Sequence, residues 1–72
     1  MNACEHIDRH ITNYMNETNI SVQEMADTLG ITTNTFRWRR SGRYEWRFDE
    51  LKKLSDMTGL TLDELTGFKT PA

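Results

Sequence analysis

The sequence predicts an all-α domain, and three observations lead to that prediction. Helix-start chemistry recurs, because a Ser, Thr or Asn stands three residues before a Glu at three places. Apolar residues recur at spacings of three and four, which is the period of one helix face. No segment alternates apolar and polar residues as a half-buried strand would. We therefore expect five short helices in a single domain over residues 1–72, with 68–72 as a tail.

The first helix is expected over about residues 3–17. Asn2 stands three residues before Glu5 and forms a plausible capping pair with it. Ile7 and Ile11 begin an apolar stripe that continues to the end of the helix. The polar segment that follows this stripe ends the helix.

The second helix has the strongest start signal in the chain. Ser21 and Glu24 form a capping box, in which each side chain accepts a hydrogen bond from the other's backbone N–H. Ala26 is the small residue on the buried face of this helix. Gly30 follows Leu29 at the place where a left-handed residue commonly ends a helix, so the helix is only about eight residues long.

The third helix follows almost immediately. Thr32 or Thr33 can cap its start, and it is expected to run to about Arg40 before the Ser-Gly pair at 41–42. Phe36 is its one unambiguous core residue. The second and third helices with Gly30 between them have helix-turn-helix spacing, over about residues 21–40.

Two more helices complete the prediction. The fourth spans about 48–58 without a good N-cap, and Asp49 and Glu50 at its start suit the helix macrodipole and are assigned no further role. Its apolar face consists of Leu51, Leu54 and Met57. Thr61 and Glu64 form another capping box, which starts a short fifth helix.

Two segments and one glycine between them carry a family resemblance. "SVQEMADTLGITTNTF", then Gly42, then "FDELKKLSDMTGLTLDEL" together resemble the Cro/CI family of helix-turn-helix regulators, which have the lambda-repressor-like fold. The resemblance covers about residues 5–66, and several features agree in register. It implies a transcription regulator whose third helix lies in the major groove of operator DNA.

The resemblance also implies DNA-contacting positions. Gln23 corresponds to a phosphate contact, Thr33 and Asn34 fall where the family reads base edges, and Arg37 is exposed one turn further on. An Asn can pair bidentately with adenine and an Arg with guanine. Near the helix end, two arginines suit phosphates. The predicted DNA-binding residues are Gln23, Thr33, Asn34, Arg37, Arg40 and Arg43.

Aromatic residues depart from the family pattern. Arg39 occupies the position of a common apolar residue, and Trp38 lies one place earlier, where other members carry a base-reading side chain. Exposed aromatics beside arginines are typical of protein interfaces. A protein-partner surface is therefore the alternative, and its predicted residues are Trp38, Arg37, Tyr44 and Trp46. Trp38 or Trp46 could instead belong to the core.

The charge distribution bears on the choice of partner. Residues 1–36 carry one Arg and five acids, residues 37–53 carry seven basic residues and three acids, and residues 54–72 carry one Lys and three acids. The three segments thus have net charges of −4, +4 and −2, and the total of −2 is unusual for a DNA-binding protein. A short acidic member of this family resembles the phage proteins called modulators of repression.

These observations predict a small phage-type regulator in a lysis/lysogeny-like switch. It would bind operator DNA through its third helix; alternatively, as an antirepressor, it would bind a cognate phage repressor and alter that protein's DNA binding. The one Cys and the isolated pair His6 and His10 offer no metal site, and no catalytic set can be assembled. We expect no enzyme activity, cofactor or membrane segment, and a location in the bacterial cytoplasm. The sequence is also compatible with a homodimer.

Overall fold

Five helices account for most of residues 2–68, the part of the chain that the computed structural model describes. The helices are α1 (Ala3–Thr18), α2 (Val22–Leu29), α3 (Thr33–Ser41), α4 (Phe48–Thr58) and α5 (Leu62–Thr66). No strand occurs within this range. The all-α prediction is therefore confirmed, with α1 and α3 each one residue longer than expected. The predicted tail lies outside the described residues except for Phe68.

Local hydrogen bonds explain where the helices begin. Asn2 accepts from the Glu5 N–H at the start of α1, and Thr32 accepts from the Thr35 N–H at the start of α3. The capping boxes predicted for α2 and α5 are both present. Gly30 closes α2 with a φ of 74°, and its N–H donates to the carbonyl of Asp27. The helix-turn-helix therefore has the tight turn that its sequence predicts.

A small apolar core lies where the helices meet. α1 packs against α3 and α5, α2 packs against α3 and α4, and α4 also contacts α5. The buried apolar residues are Ile7, Ile11, Met25, Ala26, Leu29, Phe36, Leu54 and Leu65. α3 contributes only Phe36 to this set, so its position depends on other contacts as well.

A buried ion pair joins α3 to α4. The Arg39 Nε lies 2.8 Å from Glu50 Oε1, and Nη2 lies 3.4 Å from Oε2, so the guanidinium donates to both carboxylate oxygens. Glu50 is only 2% exposed. The pair explains how a charged residue occupies a position that the family resemblance makes apolar: Arg39 turns inward and its charge is balanced by Glu50.

The same carboxylate also starts α4. Arg47 occupies the N-cap position, and its backbone N–H donates to Glu50 Oε1 at 2.9 Å. Arg47 itself has no acceptor side chain to cap the helix, as the sequence predicted. The interpretation of Glu50 as a simple macrodipole residue was incomplete, because Glu50 is a buried structural group with three donors.

The crossing of α2 and α3 gives a stability prediction. Ala26 is 1% exposed where the two helices pack, and its carbonyl accepts from the Ile31 N–H. Ala26→Leu is expected to lower the free energy of unfolding by roughly 1–3 kcal/mol through overpacking. Urea denaturation followed by circular dichroism measures the change. Asp27→Leu adds the same side chain at the exposed neighbouring position and serves as control. Equal stability of the two variants would contradict a close approach at Ala26.

Candidate nucleic-acid interface

The exposed face of α3 carries the side chains predicted to read bases. Asn34 and Arg37 are both exposed, and a spacing of three places them side by side on the helix surface. Thr33, the first residue of the helix, is half-buried. α3 therefore presents one amide and one guanidinium next to each other, the two groups best suited to adenine and guanine edges.

The start of α2 lies on a separate helix but belongs to the same motif. Gln23 is exposed in the first turn of α2, where backbone N–H groups are not used inside the helix. α2 and α3 pack against each other. A side-chain amide at a helix start is chemically suited to a phosphate oxygen. The described geometry therefore leaves Gln23 free for the role that the family resemblance implies.

An aromatic cluster lies at the end of α3. We call Trp38, Arg43 and Tyr44 the Trp38 cluster. The two rings meet edge to face with centroids 5.6 Å apart, and the Arg43 guanidinium carbon lies 5.3 Å from the Trp38 centroid. Trp38 is 37% exposed and Tyr44 is 46% exposed. Trp38 is therefore not a core residue, and the alternative that placed it in the core is wrong.

Trp46 has a different environment from the Trp38 cluster. It is half-buried, packs against the core, and meets Phe36 edge to face at 6.2 Å. Its Nε1 is buried and has no acceptor among residues 2–68. The structure thus separates two tryptophans that the sequence grouped on one surface, and Trp46 supports the fold next to Phe36.

Arg40 is held by α1. Its Nε lies 2.5 Å from Asp8 Oδ1, and its Nη2 donates to Thr12 Oγ1 at 2.9 Å. The side chains of Arg40 and Asp8 are 25% and 37% exposed, so water reaches this ion pair. The sequence grouped Arg40 with the phosphate contacts and gave no role to Asp8, which lies far from it in the chain.

Cys4 also connects α1 to the end of α3. Its thiol lies 3.5 Å from the Arg39 carbonyl and 3.8 Å from the Arg40 carbonyl. Burial raises the pKa of Cys4, and the carboxylates of Asp8 and Glu5 raise it further. The thiol therefore stays protonated and donates to carbonyls in the last turn of α3, where the Arg39 carbonyl also accepts from the Gly42 N–H.

Ion pairs within the fold use much of the positive charge of residues 37–53. Arg39 pairs with Glu50, Arg40 pairs with Asp8, and the exposed Arg47 lies 3.7 Å from Asp49. Arg37 and Arg43 have no acidic partner within residues 2–68. The net charge of +4 counted over residues 37–53 is therefore larger than the charge available to a ligand. Arg37 and Arg43, on either side of Trp38 in the chain, carry most of the unpaired positive charge on α3 and the loop after it.

Other classes of site find little support in the described residues. No three His, Cys, Asp or Glu side chains between residues 2 and 68 are grouped to hold a metal ion. His10 instead contacts the Glu64 carbonyl at 3.1 Å, which joins α1 to α5. None of the helices in this range is long and apolar enough to cross a membrane.

One protein family matches the part of the chain that forms this face. A family model described as "Cro/C1-type HTH DNA-binding domain" matches residues 10–71. The matched range includes all of α2 to α5 and therefore every residue that the sequence predicted to contact DNA. Searches of the curated proteins and of the solved structures find no match.

Proposed function

The chain belongs to the Cro/C1-type helix-turn-helix DNA-binding domain family and is a DNA-binding transcription regulator, and we propose that it binds operator DNA through α3. The observation that carries this proposal is the exposed pair Asn34 and Arg37 on one face of α3. In the proposed complex this face enters the major groove. Asn34 pairs with an adenine and Arg37 pairs with a guanine.

Phosphate contacts position the helix in this proposal. Gln23 at the start of α2 and Arg43 after the end of α3 are both exposed. We place them on either side of the face of α3 that carries Asn34 and Arg37, which we call the reading face. Arg40 is omitted from the contact set, because Asp8 and Thr12 already occupy its guanidinium. With so few cations available, sequence-specific contacts supply a larger share of the binding free energy than in a strongly basic regulator.

The biological setting is part of the same proposal. A small helix-turn-helix domain fits a repressor in a temperate-phage switch, acting in the bacterial cytoplasm. Homodimers would place two copies of α3 one DNA turn apart on a symmetric operator.

The Trp38 cluster favours a second candidate function. Trp38 and Tyr44 expose aromatic surface that contributes little to base readout, and Arg43 stacks on both rings. Aromatic residues and Arg are the usual anchors of protein interfaces. The alternative proposal is therefore an antirepressor, in which the Trp38 cluster and Arg37 bind a partner phage repressor and alter its DNA binding.

Alanine substitutions on α3 test the operator proposal. Asn34→Ala and Arg37→Ala are each expected to lose about 1–3 kcal/mol of binding free energy at the operator, because each removes a bidentate base contact. Asn34→Ala should change binding to random duplex DNA much less, and Arg37→Ala should weaken it only by the loss of one cation. Fluorescence anisotropy with both DNAs, at a fixed salt concentration, measures the difference.

Arg43→Ala is the matched control. It removes a proposed phosphate contact, so both DNAs should lose affinity equally and the salt dependence should become less steep. If Asn34→Ala also weakened the operator and random DNA by the same factor, Asn34 would not read a base. If neither Asn34→Ala nor Arg37→Ala affected operator binding, the proposal for α3 would be wrong.

A further inference from the structure

Asp8 holds Arg40 where a DNA phosphate could otherwise bind it. From this arrangement we infer that Asp8 limits sequence-independent DNA binding, because its carboxylate competes with phosphate for the Arg40 guanidinium. This inference rests on the proposal that the α3 face binds DNA. It assigns to Asp8 the role of a specificity-determining residue that acts through Arg40.

The location of the ion pair supports competition with phosphate. Arg37, Arg40 and Ser41 are three and four residues apart and share one side of α3. Together with Asp8 they line a shallow hollow. The Arg40 guanidinium in this hollow is a site for an oxyanion, the neighbouring Arg37 adds positive charge, and the Asp8 carboxylate supplies the oxyanion from within the molecule.

The exposure of the pair makes exchange feasible. Asp8 and Arg40 both retain contact with water, in contrast to the buried pair of Arg39 and Glu50. A phosphate oxygen can therefore replace the carboxylate with only side-chain rotations. The Asp8 carboxylate, however, both occupies Arg40 and repels an approaching phosphate.

The competition between Asp8 and phosphate for Arg40 changes the number of cations that are available to DNA. Arg39 and Arg47 also have acidic partners, so freeing Arg40 would add one cation to the small number beside the reading face. Sequence-independent binding grows with each phosphate contacted, while base readout does not. Asp8 therefore keeps the ratio of operator to random-DNA affinity high.

The experiment compares wild type with Asp8→Asn on random duplex DNA over a range of salt concentrations. Asp8→Asn is expected to bind several-fold more tightly at low salt, and the slope of log K against log salt should steepen by about 0.9, the value for one additional phosphate. Glu17→Gln removes the same charge nine residues further along α1 and is the control for net charge. It should leave the slope unchanged.

Arg40→Ala separates release of Arg40 from loss of repulsion. In the wild-type background Arg40→Ala should leave the salt slope nearly unchanged, because no phosphate contact is lost, although the unpaired Asp8 carboxylate then lowers the affinity. In the Asp8→Asn background it should remove the entire gain. A gain that persisted in the double variant would overturn the inference, because repulsion alone would explain it. A salt slope flattened by Arg40→Ala in wild type as much as by Arg43→Ala would also overturn it, because Arg40 would then contact phosphate despite Asp8.

Two further measurements distinguish this inference from the operator proposal. Modification of Arg40 by phenylglyoxal, mapped by mass spectrometry, should increase in Asp8→Asn without any DNA present. Retention on heparin should increase as well, since sulfate groups replace phosphates and no bases are read. If Asn34 and Arg37 did not read bases but phenylglyoxal modification and heparin retention still increased in Asp8→Asn, only the operator proposal would be rejected. Unchanged reactivity and retention would reject the role of Asp8.

Discussion

Replacing Glu50 with alanine is expected to lower the free energy of unfolding by about 3 kcal/mol, the low end of the range for breaking a buried ion pair. The substitution leaves the Arg39 guanidinium buried without its carboxylate, and it removes the acceptor for the Arg47 N–H at the start of α4. The low end applies because Arg39 keeps 14% of its side chain exposed. For a domain this small, the loss is a large part of the total stability. Urea denaturation followed by circular dichroism measures it.

Two other variants test whether the pair itself is responsible. Arg39→Met combined with Glu50→Gln removes both charges and keeps an amide oxygen for the Arg47 N–H, so it should recover most of the lost stability. Asp49→Asn breaks only the exposed pair with Arg47 and should change stability by less than about 0.5 kcal/mol. If Glu50→Ala were as stable as wild type, the buried pair would not hold α3 against α4.

Truncating Trp38 is expected to separate the two candidate functions. If the protein is an antirepressor, Trp38→Ala should weaken binding to the partner repressor by about 2 kcal/mol or more, which is about 30-fold in Kd. The thermal melt should change little, because Trp38 lies outside the core and its ring meets the exposed Tyr44 and Arg43. Titration calorimetry with the repressor of the same genetic switch measures the loss.

Phe48→Ala is the control for the loss of an exposed aromatic ring. Phe48 is 66% exposed and stacks with Lys52 outside the Trp38 cluster, so its removal should not affect the partner. If Trp38→Ala unfolded the domain, Trp38 would be a structural residue after all. If it folded, still bound the repressor and lost operator DNA, the antirepressor proposal would be rejected in favour of an operator-binding repressor.

The helices could be predicted because their start and stop signals are local. The capping boxes of α2 and α5 each lie within four residues. Gly30 directly follows Leu29, the last residue of α2, and ends that helix. Short-range hydrogen bonds of this kind depend on the sequence immediately around them. The family resemblance then supplied the arrangement of the helices, and the family match agrees with it.

The two ion pairs of α3 could not be predicted in the same way. Arg39 and Glu50 are 11 residues apart, and Arg40 and Asp8 are 32 residues apart, so their meeting depends on how the helices pack. One signal for Glu50 was present, because Glu50 stands four residues before the core residue Leu54 and so shares its face. Arg40 on a helix surface gave no such signal, and its charge and its place near the helix end suggested a phosphate contact.

The different surroundings of the two tryptophans give the molecule separate optical signals. Indole fluorescence shifts to longer wavelengths in contact with water, so the exposed Trp38 and the half-buried Trp46 emit differently. In Trp38→Phe, the remaining indole lies against Phe36 and reports the integrity of the core. In Trp46→Phe, the remaining indole is that of Trp38, which lies beside the reading face and reports the binding of a ligand to that face. Folding and ligand binding can thus be followed independently through the protein's own side chains.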